Sequence, residues 1–313
     1  MSQLKKAVVI PCYRVSDTLK RLIETIPENI VDHIIVVDDA CPNGSGELAE
    51  GLNRKNCIVI YHDKNQGVGG AVISGYRKAM ALGCDVIVKM DGDGQMDPSC
   101  LGSLIAPIED GEADYTKGNR FSSADVLKKM PKIRLLGNSI LSFIIKGVSG
   151  YWDIMDPTNG YTAVRRSALE KIDLDKISKG YFFEINMLID LSIADAVVKD
   201  VSIPVKYSKE ESSLNIMKVL VSFPPKLLKG FLKRILMRYF IYDFNMASVY
   251  ILFGVPLFFL GVLWGIHEWM NSMVTGHARS AGTIMLVALP IILSFQMLLQ
   301  AINIDMHKTP RKR

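Results

Sequence analysis

The stretch VIVKMDGDGQMDP, residues 86–98, joins an apolar run to a loop crowded with carboxylates. Valine and isoleucine favour strands, and an uninterrupted apolar run is typical of a strand buried on both faces. The glycines of the loop allow the tight turn that has to follow. Asp91, Asp93 and Asp97 repel one another unless a cation or a structural hydrogen bond offsets their charge. The loop is therefore the first candidate for a functional site.

Residues 1–210 repeat one arrangement, in which a short apolar strand, a polar or glycine-rich strand end and a helix follow one another. The predicted strands are Ala7–Ile10, His33–Val37, Cys57–Tyr61 and Asp85–Met90, and the predicted helices are Asp17–Thr25, Gly44–Asn53 and Val68–Ala81. This alternation predicts an α/β fold with a sheet flanked by helices. Ligands of open α/β sheets bind beyond the carboxyl ends of the strands. The polar strand ends are therefore expected to meet at one edge.

The spacing of Asp91, Asp93 and Gln95 predicts a site for a divalent cation. Carboxylates at positions i and i+2 lie on one side of an extended chain. Oxygen ligands with several open positions suit Mg²⁺ or Mn²⁺. A calcium loop of the EF-hand type would need D-x-D-x-D-G and a terminal glutamate, which this stretch lacks. Asp97, directly before Pro98, is predicted to cap the next helix instead.

Two further strand ends carry polar motifs. Asp38 and Asp39 are adjacent, and a helix-capping role would explain only one of them. The sequence NQGVGGA, residues 65–71, matches neither GxGxxG nor the P-loop pattern and follows the third strand, which argues against a dehydrogenase fingerprint. A glycine-rich helix start that a nucleotide approaches closely is the remaining interpretation.

The apolar residues of this chain of 313 residues, whose mean hydropathy is +0.20, concentrate near its C-terminus. Residues 247–266 and 282–304 carry no charge, and each run is long enough to cross a hydrocarbon core of about 30 Å as a helix. Two buried helices of a soluble protein are the alternative. No N-terminal signal peptide is expected, because the first apolar run is short and ends at Pro11.

Basic residues flank this predicted hairpin on both sides. They are Lys218, Lys226, Lys229, Lys233, Arg234 and Arg238 before it, and Lys308, Arg311, Lys312 and Arg313 after it. The connection between the runs holds one arginine and one glutamate. The positive-inside rule therefore predicts a plasma-membrane protein with both termini and the N-terminal domain in the cytoplasm. The five cysteines, odd in number and without a CxxC pair, are expected to be reduced.

Residues 216–242 combine paired apolar residues at helical spacing with intervening cations, which is typical of helices lying in the headgroup layer. Pro224-Pro225 are predicted to divide this segment into two helices. Because the segment adjoins a membrane span, nucleic acid is not expected as a partner.

Several motifs, in this order, resemble the family 2 glycosyltransferases, which have the GT-A fold. They are IPCYR at 10–14, VVDDACPNGSGE at 36–47, HDKNQGVGGA at 62–71, DGDGQ at 91–95, GNRF at 118–121 and DPTNGYTAVRRSAL at 156–169. With its hairpin, the chain is most similar to the polyprenyl-phosphate glycosyltransferases. The resemblance implies a catalytic domain over 1–213 with a nucleotide-binding mixed sheet, interfacial amphipathic helices over 214–244 and a transmembrane hairpin over 245–313.

The resemblance also implies roles for individual residues. The nucleotide would be held by Pro11, Tyr13, Asp38, Asp39 and Asp63. A cation, Mg²⁺ or Mn²⁺, would be held by Asp91, Asp93 and Gln95, and Asp156 would join the two aspartates in catalysis. The acceptor phosphate would be bound by Arg120, Arg134 and Lys209. Lys209 stands where relatives carry an arginine followed by Gly-x-Ser-Lys, and Glu184 is either a ligand of a sugar hydroxyl or a solvated charge on a helix.

The activity implied is the inverting transfer of one sugar from a nucleotide-diphosphate sugar to polyprenyl phosphate at the cytoplasmic membrane face. A UDP-hexose such as UDP-glucose is preferred over GDP-mannose. A processive polysaccharide synthase is one alternative, although the QxxRW motif is missing, and a non-catalytic membrane protein that binds nucleotide sugars is another. Relatives with this hairpin can form tetramers, which makes a homo-oligomer an expectation.

Overall fold

The apolar runs of the N-terminal two thirds of the chain form one mixed sheet in the computed structural model, which describes residues 4–121, 132–204 and 216–310. Its strands are β1 (Lys6–Cys12), β2 (His33–Asp38), β3 (Cys57–Tyr61), β4 (Val86–Lys89), β5 (Tyr115–Asn119), β6 (Thr162–Arg165) and β7 (Val198–Ser202). They lie in the order β3-β2-β1-β4-β6-β5-β7. The predicted mixed sheet is confirmed.

Strands β3, β2, β1 and β4 run parallel, and β6 runs antiparallel to both of its neighbours, β4 and β5. Strand β5 therefore points in the same direction as β4. The carboxyl ends of the first five strands consequently share one edge of the sheet, which is where an open α/β sheet binds its ligands.

Helices cover both faces of the sheet. The helices of this part of the chain are α1 (Ser16–Thr25), α2 (Ser45–Gly51), α3 (Val68–Ala81), α4 (Leu101–Glu109), α5 (Lys132–Ser149), α6 (Arg166–Leu169), α7 (Phe183–Ile193) and α8 (Ile216–Ile235), with 3₁₀ turns at Pro98–Cys100 and Leu174–Lys176. Successive strand residues point to opposite faces. Val9 and Ile35 accordingly join a core with residues of α3 and α7, whereas Val8 and Ile34 join a second core with residues of α1 and α4.

The predicted cap at Asp97 is confirmed. Its side chain accepts a hydrogen bond from the Ser99 N–H at 3.0 Å, and Pro98 occupies the first position of the turn that follows. Proline is tolerated there because the N–H that it lacks would have no partner inside a helix. Asp97 is thereby separated in role from the two aspartates before it.

The predicted break at Pro224-Pro225 is wrong, because α8 continues through both prolines. Proline inside a helix removes a hydrogen bond and crowds the preceding turn. Packing offsets this cost: the Phe223 ring lies edge-on to Phe182 with 5.3 Å between centroids, and Gly230 packs closely on Ile189. Tertiary contacts therefore override the local preference of the two prolines.

Two cations of the predicted lipid-facing stripe are buried in the protein, which corrects that part of the prediction. Arg234 is fully buried and donates to the backbone carbonyls of Gly147 and Val148, both at 2.9 Å, in the last turn of α5. Arg238 is buried as well and donates to the Lys308 carbonyl at 2.6 Å. Both arginines satisfy carbonyl groups near a helix end, where cations are favoured.

The chain divides into two compact units, Met1–Arg234 with Pro310–Arg313, and Ile235–Thr309. The second unit contains a π-helical turn (Leu236–Ile241), α9 (Met246–Thr275) and α10 (Ala281–His307). These two helices contain the predicted spans 247–266 and 282–304 and extend beyond them. Gly254, Gly261 and Gly265 of α9 face side chains of α10, as small residues do where membrane helices pack closely.

Both helices are long and apolar enough to cross a membrane. Their apolar side chains are mostly exposed, with only 11% and 6% of the most apolar stretches buried. Core helices of soluble proteins bury such residues. The alternative of two buried soluble helices is therefore not supported, and the predicted transmembrane hairpin is the better account of this surface.

Candidate active site

The predicted nucleotide residues lie at or just beyond the carboxyl ends of β1, β2 and β3. Pro11 is buried in β1, and the Tyr13 side chain is 42% exposed, with the Arg14 guanidinium 5.2 Å from the centre of its ring. Asp63 follows β3 and is exposed. The sheet thus brings these residues to one edge, while their contacts with a nucleotide stay a prediction.

Asp38 performs the capping role that the sequence left open. The carboxylate is buried at the end of β2, where Oδ1 accepts from the Cys41 N–H and Oδ2 from the Gly46 N–H, each at 2.6 Å. These bonds hold the turn into α2. A carboxylate near a helix N-terminus is also favoured by the helix dipole.

Asp39 ties the end of β2 to the glycine-rich segment. Its Oδ1 accepts from the Gln66 N–H at 2.8 Å and lies 2.7 Å from His62 Nδ1, and its Oδ2 accepts from the Gly67 N–H at 2.8 Å. His62 Nε2 in turn lies 2.8 Å from Ser74 Oγ on α3. Both adjacent aspartates therefore organise backbone at this edge, and sequence reasoning missed the part played by His62.

The glycines of this segment make room for protein backbone. A Cβ on Gly69 would lie 2.4 Å from the Ser178 carbonyl oxygen, and one on Gly67 would lie 2.7 Å from the Lys179 carbonyl oxygen. Gly67 also has φ of +85°, a conformation that side chains disfavour. At Gly67 and Gly69 this close approach is made by the backbone of residues 178–179, and the approach of a nucleotide stays a prediction.

Asp91 and Asp93 lie directly beyond β4, as predicted. Asp91 is 30% exposed, and its buried Oδ1 lies 2.9 Å from the Lys89 ammonium. This contact leaves Oδ2 as the oxygen of Asp91 that can bind a ligand. Asp93 Oδ1 accepts the Gln95 N–H at 3.0 Å, and the Gln95 side chain is exposed.

This donor set fits a divalent cation that arrives with its substrate. In the described part of the chain, no group of three histidine, cysteine, aspartate or glutamate side chains is arranged to hold a metal. Mg²⁺ is commonly bound by one or two carboxylates together with substrate phosphates and water. Asp91 and Asp93 supply such carboxylates, and Gln95 has an oxygen that can be added.

Two buried lysines that the sequence analysis missed lie behind this loop. Lys89 Nζ is 2.7 Å from Glu184 Oε1, and Lys117 Nζ is 3.7 Å from Glu184 Oε2. Lys117 Nζ also donates to the Asn159 carbonyl. Glu184, in the first turn of α7, is therefore not the solvated helix charge that was one of its two interpretations. A lysine within a buried strand is the sequence signal that could have revealed this cluster, because lysine is almost never buried without a partner.

Burial and charge act differently on the two lysines. Burial lowers the pKa of Lys89, but the carboxylates of Asp91 and Glu184 outweigh it and raise that pKa above its ordinary value. Burial lowers the pKa of Lys117, and Glu184 compensates only in part. Of these two lysines, Lys89 is therefore the one whose charged form the site stabilises more.

Asp156 and Arg120, two of the predicted site residues, form an ion pair. Asp156 is fully buried, and Arg120, just beyond β5, is 39% exposed at its side chain. The guanidinium donates to both carboxylate oxygens. Arg134 lies in the first turn of α5 with its side chain outside the described part, and Lys209 lies outside the described residues, so both remain predictions.

A sequence profile described as "Glycosyl transferase family 2" matches residues 7–173. The UDP-N-acetylglucosamine--dolichyl-phosphate N-acetylglucosaminyltransferase of Methanococcus voltae is 31% identical over 188 residues, covering 56% of this chain and 74% of that protein. The polyprenol monophosphomannose synthase of Mycolicibacterium smegmatis is 34% identical over 189 residues, covering 58% and 69%. The resemblance noted in the sequence is thus confirmed.

Among solved structures, the chain is similar to glucosyl-3-phosphoglycerate synthase from Mycobacterium tuberculosis in complex with Mn²⁺, UDP-glucose and glycerol 3-phosphate. The TM-score is 0.55 with 19% sequence identity, over 74% of this chain and 80% of that one. At this identity the likeness concerns the fold, and the predicted GT-A type of α/β fold is confirmed.

Proposed function

Since the chain belongs to glycosyl transferase family 2, we propose that it transfers one sugar from a nucleotide-diphosphate sugar to polyprenyl phosphate. The observation that carries this proposal is the placement of opposite charges along one sheet edge. Asp91 and Asp93 follow β4, and Arg120 follows β5. These strand ends are separated by one strand, hence by about 10 Å at the usual strand spacing. The acidic end suits a cation-bound donor and the basic end suits an acceptor phosphate.

The donor would lie across the ends of β1, β2 and β4. Pro11, Tyr13 and Asp63 would contact the nucleoside, while Asp38 and Asp39 would act mainly by holding the backbone around it. Asp91, Asp93 and Gln95 would hold Mg²⁺ or Mn²⁺. When bound, that cation neutralises charge on the departing diphosphate as a Lewis acid. The Mn²⁺ of the similar solved structure supports this assignment.

The acceptor phosphate would be bound by Arg120 together with Arg134 and Lys209. Its second pKa of about 6 makes it largely a dianion at neutral pH, so that it needs no strong general base. One phosphate oxygen forms a bond to the anomeric carbon while the bond from that carbon to the diphosphate breaks, which inverts the configuration. Asp156 would orient Arg120 for this attack through their ion pair.

The membrane would present the acceptor. The apolar helices α9 and α10 support an integral membrane location, and the basic residues that flank them favour a cytoplasmic catalytic unit. Lys226 and Lys229 of α8 are exposed and available to anionic headgroups. A homo-oligomer is part of this proposal on the basis of the resemblance.

The identity of the donor sugar is the most detailed part of the proposal. A UDP-hexose, UDP-glucose first, is proposed on the sequence resemblance. The names of the two relatives point to N-acetylglucosamine and mannose instead. A panel of donors therefore has to include UDP-glucose, UDP-N-acetylglucosamine and GDP-mannose.

The test is an assay of the purified full chain with undecaprenyl phosphate, Mn²⁺ or Mg²⁺ and each radiolabelled donor of the panel. We expect one labelled lipid that mild acid cleaves, and we expect Asp93→Asn to lower its formation at least about hundredfold, as loss of transition-state charge stabilisation does. Asp110→Asn, an exposed aspartate at the end of α4, is the matched control. Failure of every donor, or full activity of Asp93→Asn, would overturn the proposal.

A further inference from the structure

Lys89, Thr162 and Lys117 form one row across three strands. Lys89 of β4 pairs with Thr162 of β6, which pairs with Lys117 of β5. Residues directly opposite in paired strands point to the same face of the sheet. Both lysines therefore point to the face covered by α7, whose first turn carries Glu184. The fold places two cations side by side within an otherwise apolar layer.

The Lys89 ammonium is surrounded by oxygen atoms. Its Nζ lies 2.9 Å from Asp91 Oδ1, 2.7 Å from Glu184 Oε1 and 3.3 Å from the Gly160 carbonyl oxygen. Two carboxylates and a carbonyl are also the oxygen ligands that hard metal cations take. The side chain is only 2% exposed, so that the ammonium is held inside the protein.

Gly160 provides the space for this arrangement. A Cβ at this position would lie 2.5 Å from Lys89 Nζ and 2.7 Å from Asp91 Oδ2. Contacts below 3 Å require a neighbour to move, and here the neighbours are the two charged groups themselves. The glycine of the DPTNGY motif thus permits the ion pair between Lys89 and Asp91.

The charges of the cluster balance. Lys89 and Lys117 contribute two positive charges, and Asp91 and Glu184 contribute two negative ones. Buried charges are tolerated when they are paired in this way, and removing one partner leaves the other uncompensated. Without Lys89, the carboxylates of Asp91 and Glu184 would face each other across the position of its ammonium.

We propose that the Lys89 ammonium is a built-in cation that occupies the inner oxygen site of the metal loop and keeps a free divalent cation out of it. Asp91 is then restricted to its outer oxygen, so that the metal is retained only together with a nucleotide diphosphate. Lys89 is a positioning residue in this scheme, and Glu184 and Gly160 hold it in place. The inference rests on the proposed function for the identity of the metal-binding loop.

The test measures Mn²⁺ binding to the purified full chain in detergent without any nucleotide, by the electron paramagnetic resonance signal of free Mn²⁺. Lys89→Met keeps most of the stem and omits the ammonium. We expect the variant to bind Mn²⁺ at least about tenfold more tightly than the unmodified protein. The Lys89 ammonium repels a cation bound at contact distance, and this repulsion exceeds the free energy of about 1.4 kcal/mol that a tenfold change in affinity requires. Addition of UDP should tighten Mn²⁺ binding strongly in the unmodified protein and little in the variant.

A matched control and a second variant keep the test decisive. Lys199→Met removes an exposed ammonium on β7 that pairs with Glu112, and it should leave Mn²⁺ binding unchanged. If Lys89→Met does not fold, Lys89→Gln takes its place, because its amide can still donate to Glu184. For that variant, Mn²⁺ alone should raise the thermal midpoint, which it should not do for the unmodified protein.

Equal or weaker Mn²⁺ binding by a folded Lys89 variant would overturn the inference. This result is independent of sugar transfer, because no donor or acceptor is present. A protein that transfers sugar but shows no gain in the Lys89 variants would retain the proposed function and lose the inference. If the Lys89 variants gained Mn²⁺ binding but the protein transferred no sugar, the inference about Lys89 would be kept and the proposed function would be lost.

Discussion

Arg120 and Asp156 are joined at two points, with Nε 2.7 Å from Oδ2 and Nη2 3.0 Å from Oδ1. The pair is unequal in burial, because the carboxylate is fully buried and the guanidinium is 39% exposed. Loss of the arginine would leave an uncompensated buried charge, whereas loss of the aspartate would leave a guanidinium that water can reach. The two residues should therefore differ when each is replaced.

We expect Arg120→Met to lower the free energy of unfolding by about 2–4 kcal/mol, less than the roughly 3–5 kcal/mol for breaking a fully buried ion pair, because the guanidinium is 39% exposed. Asp156→Asn should cost only about 1 kcal/mol, because the amide retains one acceptor oxygen and Arg120 stays solvated. Thermal midpoints of the full chain in detergent, followed by tryptophan fluorescence, measure the difference. The double variant should regain a large part of the loss of Arg120→Met.

If Arg120→Met and Asp156→Asn were equally destabilising, the unequal burial of the pair would not be the controlling factor. Arg120→Lys serves as the conservative control, since it keeps the charge and loses the two-point geometry. We expect this variant to fold normally and to raise the KM for lipid phosphate, with a smaller change in the KM for the donor.

Gly160→Ala tests the space around the Lys89–Asp91 pair without changing any charge. The added Cβ would displace either the ammonium or the carboxylate, so we expect sugar transfer to fall by about tenfold to hundredfold, as misplacement of a reacting group by about 1 Å does. Initial rates over a range of Mn²⁺ concentrations measure the effect. Gly102→Ala is the control, because a Cβ at that position meets nothing within 4 Å. Unchanged rates for Gly160→Ala would show that the pair tolerates movement.

Local pattern was enough to predict the first half of the fold. Helix α3 begins and ends where its apolar spacing places it, and β3 coincides with the apolar run Cys57–Tyr61. The strands after β4 escaped prediction for a physical reason. Strand β5 (YTKGN) and strand β6 (TAVR) mix polar or charged residues with few apolar ones, so that neither shows the apolar run Val86–Val88 that marks β4.

The candidate site was predictable only where it depends on strand ends. Asp91 and Asp93 follow directly from the strand before them. The cluster of Lys89, Lys117 and Glu184 depends on the register of three strands and on where α7 packs, which no local pattern specifies. The burial of Arg234 could not be predicted for the same reason. The sequence of an amphipathic helix looks the same whether its cations contact lipid headgroups or the carbonyls of another helix.

Arg234→Met should separate these two roles of the α8 cations. The Arg234 guanidinium satisfies the carbonyls of Gly147 and Val148, and its loss would leave buried acceptors without their donor. We expect the free energy of unfolding to fall by about 2–4 kcal/mol. Lys229→Met, at an exposed position of the same helix, should change it by less than about 0.5 kcal/mol.

Thermal midpoints of the two variants in one detergent provide the comparison. A drop of similar size for both would mean that α8 is stabilised by its charge as a whole. If Arg234→Met were as stable as the unmodified protein but transferred sugar more slowly in anionic lipid, Arg234 would act as a ligand of lipid headgroups and not as a structural donor.

Asp200 should make stability depend on pH. Burial raises the pKa of Asp200 to about 6, because it outweighs the hydrogen bond from the Met155 N–H and the Lys117 ammonium, both of which lower this pKa. Its Oδ2 accepts that N–H at 2.7 Å, while Oδ1 is buried with no hydrogen-bond donor among the described residues. A carboxyl group whose pKa is raised on folding stabilises the protein below its unfolded pKa of about 4, and this contribution is lost as the pH rises through 6.

Asp200→Asn removes this loss while its side-chain oxygen can still accept the Met155 N–H. We expect the variant to be more stable than the unmodified protein by about 1–2 kcal/mol at pH 7.5, and the difference to shrink as the pH falls to 5. Thermal midpoints at pH 5, 6 and 7.5 measure it, with the exposed Asp110→Asn as the control that should show no such trend. A constant difference across this range would mean that Asp200 is not the group that titrates. A decrease in stability at pH 7.5 would mean that the ionised carboxylate is held by Lys117 strongly enough to outweigh its burial.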